Sequence, residues 1–100
     1  MIPLPVHLTP AAKREIGAIM TRKMVPAEYG LRLGAVGSGC SGIRFVIGFD
    51  LKRDNDVAFD AEGISVFIEK KEILYLAGMQ VDFVDTEYER GFIFEHCLKQ

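Results

Sequence analysis

The stretch Tyr29-Gly30-Leu31-Arg32-Leu33-Gly34-Ala35, the loop Gly37-Ser38-Gly39-Cys40-Ser41-Gly42 and the run Ile43-Arg44-Phe45-Val46-Ile47-Gly48-Phe49 decide how this chain is read. Tyr29, Leu31, Leu33 and Ala35 alternate with Gly30, Arg32 and Gly34, a period of two that predicts a strand with one buried face. Ile43, Phe45, Ile47 and Phe49 alternate with Arg44, Val46 and Gly48 in the same way. Two strands therefore flank a glycine-rich loop with a cysteine at its centre.

Upstream, Thr9-Pro10 starts a helix. Thr9 can cap, and Pro10 suits the first helical position because its missing N–H has no partner there. Ala12, Ile16, Ile19 and Met20 recur at helical spacing, while Lys13, Arg14, Glu15, Arg22 and Lys23 fill a solvated face. The helix is expected over about residues 9–23, ended by Pro26. Downstream, Asp54-Asn55-Asp56 reads as a turn, and Asp54, Asp56, Asp60 and Glu62 as solvated acidic charge without calcium-loop spacing. Val57-Ala58-Phe59 and Ile64–Ile68 read as strands about a turn at Ala61-Glu62-Gly63. Lys70–Ala77 reads as a short helix stopped by Gly78. Strands follow at Val81–Phe83 and Phe92–Phe94. The phenylalanines Phe45, Phe49, Phe59, Phe67, Phe83, Phe92 and Phe94 fall on strands and are expected in the core. The stretch Asp82, Asp85, Glu87, Glu89 reads as an exposed loop in preference to a partner-facing surface. The fold class is α+β, with connections mostly too short for parallel crossovers and sheets mainly antiparallel or mixed.

The chain has 100 residues, 49 % hydrophobic and 26 % charged, with net charge −2. That suits a single soluble domain over residues 1–100. No basic stripe supports nucleic-acid binding, and no apolar run is long enough to cross a bilayer. Met1-Ile2-Pro3-Leu4-Pro5-Val6 lacks a basic start and a cleavage site, so it reads as an extended lead-in rather than a signal peptide. A cytoplasmic location is expected, where Cys40 and Cys97 stay reduced.

The loop matches G-x-G-x-x-G, but a dinucleotide site needs a helix directly after the glycines, and here a strand follows. A phosphate loop fails because no Lys-Ser or Lys-Thr pair follows. Three readings of Cys40 remain. It is a small residue in a tight hairpin, a thiolate nucleophile activated by backbone N–H groups, or a soft-metal ligand. A nucleophile needs a base, and the histidines are His7 and His96. A single thiolate cannot complete an iron–sulfur site without Cys97, another subunit or an external thiol.

The order of motifs resembles the HesB-like domain of the A-type (HesB/IscA-type) iron–sulfur cluster carriers. The likeness runs from Leu8 to His96. It rests on the Leu8-Thr9-Pro10-Ala11-Ala12 helix start, Leu31-Arg32-Leu33-Gly34, Gly39-Cys40-Ser41-Gly42, Gly63–Ile68, Tyr75-Leu76-Ala77-Gly78, Val81-Asp82-Phe83 and Gly91-Phe92-Ile93-Phe94. The resemblance implies a compact, β-sandwich-like fold with an N-terminal helix and one short helix, assembled as a homodimer or homotetramer. It also implies binding of iron or a [2Fe-2S] or [4Fe-4S] cluster. The cargo would be exchanged with iron–sulfur scaffolds and apoprotein acceptors, without catalysis.

Family members use one cysteine in the glycine loop and a Cys-Gly-Cys pair beyond the Gly-Phe-x-Phe strand. Cys40 matches the first. The pair is absent from Glu95-His96-Cys97-Leu98-Lys99-Gln100, which leaves Cys97 and His96 as chemically competent candidate metal ligands. The alternative is a degenerate member that keeps the fold as a binding or regulatory module without a cluster.

Overall fold

A computed structural model describes residues 4–37 and 42–96. In chain order its elements are β1 (His7–Leu8), α1 (Pro10–Arg22), β2 (Tyr29–Gly37), β3 (Ile43–Leu51), β4 (Asp56–Ala61), β5 (Ile64–Glu69), a 3-10 turn (Lys70–Glu72), α2 (Ile73–Leu76), β6 (Met79–Asp85) and β7 (Arg90–His96). The expected α+β class with mixed sheets and two helices is observed. The chain divides into two compact units, one of Met1–Pro5 and Pro26–Ala77, the other of Val6–Val25 and Gly78–Gln100.

The first unit holds a four-stranded sheet in the order β3-β2-β5-β4. β2 and β3 run antiparallel in an unbroken register from Tyr29↔Leu51 to Gly37↔Ile43. β4 and β5 form a second antiparallel hairpin from Asp56↔Glu69 to Ala61↔Ile64. Its two-residue turn has positive φ at both Glu62 (53°) and Gly63 (96°), the combination that follows the right-handed twist of the flanking strands. The hairpins join in parallel through two register pairs, Leu31↔Val66 and Arg32↔Phe67.

Leu31, Leu33 and Ala35 are buried along β2, and Val66, Phe67 and Ile68 are buried in succession on β5. Each of these leucine, valine, isoleucine and phenylalanine side chains contributes about 1.5–3 kcal/mol on removal from water. Gly30 is required by close approach: a Cβ there would lie 2.6 Å from Phe67 Cε2 and 2.9 Å from the Ser65 carbonyl. Phe59 and Phe67 are buried as expected. Phe45, Phe49, Phe83, Phe92 and Phe94 are only half-buried, because alternation identifies the inward face without saying how completely a strand is covered.

The second unit is a three-stranded sheet, β1-β6-β7, with β1 parallel and β7 antiparallel to β6. β1, at His7–Leu8, falls between the expected lead-in and helix, where no strand was expected. At two residues it is too short to leave a periodic signal. α1 packs on β6 and buries Ala12 and Ile16. Thr9 caps α1 as expected, its Oγ1 accepting from the Ala12 N–H at 3.1 Å. The same hydroxyl donates to Asp82 Oδ1 at 2.7 Å, which ties the helix start to β6. Asp82 also accepts from the Phe83 N–H, and these two donors hold its carboxyl below the usual aspartate value. Asp82 is therefore a half-buried strand residue rather than part of an exposed loop. Phe83 meets Phe92 edge-on at 5.0 Å, and the Arg90 guanidinium lies over the Phe83 ring at 5.0 Å.

The acidic turn is the clearest departure from expectation. Asp56 is buried at 5 % exposure, not solvated. Arg32 donates to it bidentately, Nη1 to Oδ1 at 2.9 Å and Nη2 to Oδ2, and donates from Nε to Asp50 Oδ2 at 3.2 Å. Asp56 Oδ2 also accepts from the Arg53 N–H at 2.7 Å. The Arg32 hydrogen bonds are the main reason the Asp56 carboxyl titrates below its ordinary 3.8. Its folded pKa is depressed, so its stabilisation is complete above the unfolded value and fades as pH falls through the folded one.

Replacing Arg32 by Ala leaves Asp56 buried without its cation and should cost about 3 kcal/mol, measured by urea unfolding at pH 7. Between pH 5 and pH 2 the wild type should lose stability faster than Asp56→Asn. Parallel pH curves would mean that Asp56 carries no linked stability.

Candidate functional site

The β2–β3 ladder closes on the pair Gly37↔Ile43, and Cys40 lies between these residues in sequence. Gly42 enters β3 with φ of +89°, a left-handed conformation that suits glycine. Cys40 falls in residues 38–41, outside the described residues, as does Cys97. His96 is the described member of the three candidate ligands. It ends β7 opposite Met79 and is exposed. It belongs to the second unit, whereas the hairpin bearing Cys40 belongs to the first. Among the described residues, no three His, Cys, Asp or Glu side chains converge as a metal site.

Beside the Gly37 end of the hairpin stem lies an open groove of about 510 Å³, lined by Ala35, Val36, Gly37, Lys71, Glu72 and Tyr75. It exists because β5 pairs with β2 only at Leu31 and Arg32. Past that point β5 gives way to the 3-10 turn and α2, and the outer edge of β2 needs another partner. Glu72 supplies one, with Oε1 accepting from the Ala35 N–H at 3.0 Å. A Cβ at Gly34 would come within 2.9 Å of the same oxygen, so glycine leaves room for the carboxylate. Lys71 is paired loosely with Glu69 at 3.7 Å, and Tyr75 is half exposed.

The sequence reading assigned Lys70–Ala77 to a helix and missed this groove. The observed helix spans only Ile73–Leu76. Ala77 turns extended (φ −60°, ψ 131°) ahead of Gly78, whose φ is 82°. A carboxylate that caps a strand edge far along the chain leaves no local signature. The stem is thus bonded on both sides, to β3 through the ladder and to Glu72 at the Ala35 N–H.

The comparison with known families decides the assignment. Residues 4–98 match the family model described as iron–sulphur cluster biosynthesis. The chain belongs to that family. An iron-binding protein IscA from Xenorhabdus nematophila is 36 % identical over 94 residues, covering 93 % of this chain and 86 % of that protein. Its counterpart from Proteus mirabilis is 35 % identical with the same coverage. Among solved structures, SufA of Escherichia coli, described as involved in biosynthesis of iron–sulfur clusters, aligns with a TM-score of 0.77 at 28 % identity. That alignment covers 100 % of this chain and 87 % of SufA. A structure of IscA with a [2Fe-2S] cluster aligns with a TM-score of 0.72 at 24 % identity, covering 91 % and 84 %, and supports the fold. The family assignment made from the motif order is thus the one the whole-chain comparison gives.

Replacing Glu72 by Ala should leave the Ala35 N–H without its protein acceptor and cost about 1–2 kcal/mol in urea unfolding. Amide exchange at Ala35 should speed up as well. Unchanged exchange would show that the Glu72 carboxylate does not protect that strand edge.

Proposed function

We propose that this chain binds iron or a [2Fe-2S] or [4Fe-4S] cluster through Cys40 and passes it to acceptor apoproteins, working as a carrier rather than an enzyme. The observation that carries the reading is the position of Cys40 within Gly37–Gly42, between the paired ends of β2 and β3, in a member of the iron–sulphur cluster biosynthesis family. The relatives named iron-binding proteins support iron as the cargo. A thiolate is the ligand type that iron–sulfur clusters select, and flanking glycines remove side chains that would crowd it.

One thiolate does not fill a cluster's coordination shell. The remaining ligands come from Cys97, His96, a second protomer or an external thiol. The chain then works as a single HesB-like domain, as a homodimer or homotetramer in the cytoplasm, exchanging cargo with iron–sulfur scaffolds and acceptors. No helix among the described residues is long and apolar enough to cross a membrane. The carrier role needs a site that holds cargo and releases it by ligand exchange. A thiolate on a short loop above a fixed stem meets both needs.

Anaerobic reconstitution with ferrous iron and sulfide tests this. The wild type should gain protein-bound iron and visible absorption, and Cys40→Ser should lose both. Cys97→Ser and His96→Ala should each weaken retention of the cargo against a chelator if they complete the site. Equal iron and absorption in wild type and Cys40→Ser would overturn the reading. Failure of the wild type to load would favour a fold-retaining module without a cluster.

A further inference from the structure

We propose that the groove beside the Gly37 end of β2 binds a small cysteine-containing peptide with two carboxylates and one ammonium, the chemistry of glutathione, whose thiolate adds a ligand to iron held by Cys40. The inference rests on the carrier reading above and names the external thiol that reading calls for. Cys40 and Cys97 are the chain's two cysteines, fewer than the four thiolates that usually hold a cluster. A thiol from outside needs a seat near the loop.

The groove offers that seat. It lies against Gly37 and measures about 510 Å³, within the roughly 300–1,000 Å³ typical of small-molecule sites. Cys40 follows Gly37 by three residues, so its Cα is within about 11 Å of the Gly37 Cα whatever path the chain takes. A tripeptide seated at Gly37 reaches the same iron. Val36, 46 % exposed, and Tyr75, 50 % exposed, give the groove an apolar wall with a phenolic hydroxyl.

The charges around it select the occupant. Lys71 lines the groove, its side chain is 77 % exposed, and its pair with Glu69 at 3.7 Å is too long for a hydrogen bond. Arg44 stands directly across the ladder from Val36, so the two side chains share one face of the sheet. Arg44 is exposed and makes no ion pair among the described residues. Glu72 is the anion of the groove. Its Oε1 takes the Ala35 N–H, and a carboxylate has room for further donors. Two cations and one anion thus meet two carboxylates and one ammonium. A neutral thiol would use none of these charges, and a purely acidic peptide would be repelled by Glu72.

The bound thiol gives its proton to solvent and a sulfur lone pair to iron, displacing a weaker ligand such as water. No electron is transferred, and no oxidant or reductant is required. Because the charged partners are exposed, the ligand is held weakly and exchanges with the surrounding thiol pool, as release of cargo by ligand exchange requires.

The seat is tested first without iron. S-methylglutathione keeps the charges of the peptide and cannot form a thiolate. Titrated into the metal-free wild type at low salt, it should give saturable amide shifts at Val36, Gly37, Lys71 and Glu72. Lys71→Glu and Arg44→Glu should each raise its Kd about fivefold, while Lys23→Glu, at the end of α1, should not. Absence of saturable shifts in the wild type, or equal Kd values in all three variants, would overturn the site. Anaerobic loading with ferrous iron and sulfide then tests the ligand role. Glutathione should slow loss of iron to a chelator more than 2-mercaptoethanol does, and Lys71→Glu should abolish that difference. Equal protection by both thiols in the wild type would overturn the ligand role and leave the carrier reading standing. A wild type that loads iron with neither thiol would overturn the carrier reading and the ligand role together, even if S-methylglutathione binds.

Discussion

The first unit depends on a narrow seam. Two hairpins, β2–β3 and β4–β5, meet in parallel through two register pairs, Leu31↔Val66 and Arg32↔Phe67. Two pairs of a parallel ladder hold little by themselves. Arg32 strengthens the seam from the same position. Its guanidinium spans from Asp50 on β3 to the buried Asp56 on β4, and its Nη2 also donates to the Leu51 carbonyl at 3.0 Å. The planar fork of arginine meets both carboxylate oxygens of Asp56 at once, which a lysine could not do. Nearby, the Lys70 N–H donates to the Asn55 carbonyl at 2.9 Å, so the start of the 3-10 turn is fixed to the residue that leads into Asp56 and β4.

The seam also accounts for the groove. Because β5 leaves β2 after Arg32, the far end of β2 would show an open strand edge just where it leads into the glycine loop. The chain covers part of that edge with Glu72, whose backbone lies in the turn fixed through Lys70. The end of β2 is therefore held on one side by its ladder with β3 and on the other by a carboxylate. Glycine at position 34 gives that carboxylate its space. The residues that brace the stem, Glu72 among them, are distinct from Cys40, the proposed cargo ligand.

How much of this could be read in the sequence depends on how local each signal is. α1 was legible because Thr9-Pro10 and the spacing of Ala12 and Ile16 are contained within a few turns. β2 and β3 were legible from alternation, and the Ala61-Glu62-Gly63 turn from its glycine. β1 was not, being two residues that become a strand only through β6. The parallel seam was not, because alternation gives a strand's faces and not its neighbour. Asp56 was misread for the same reason: its partner lies 24 residues away, and Asp54-Asn55-Asp56 looks like any polar turn. The hint was Arg32, a cation in the middle of an otherwise apolar and glycine strand. The family was legible from the order of short motifs. For the site, Cys40 and Cys97 lie outside the described residues, and Lys71, Glu72 and Tyr75 are joined to β2 only by the fold.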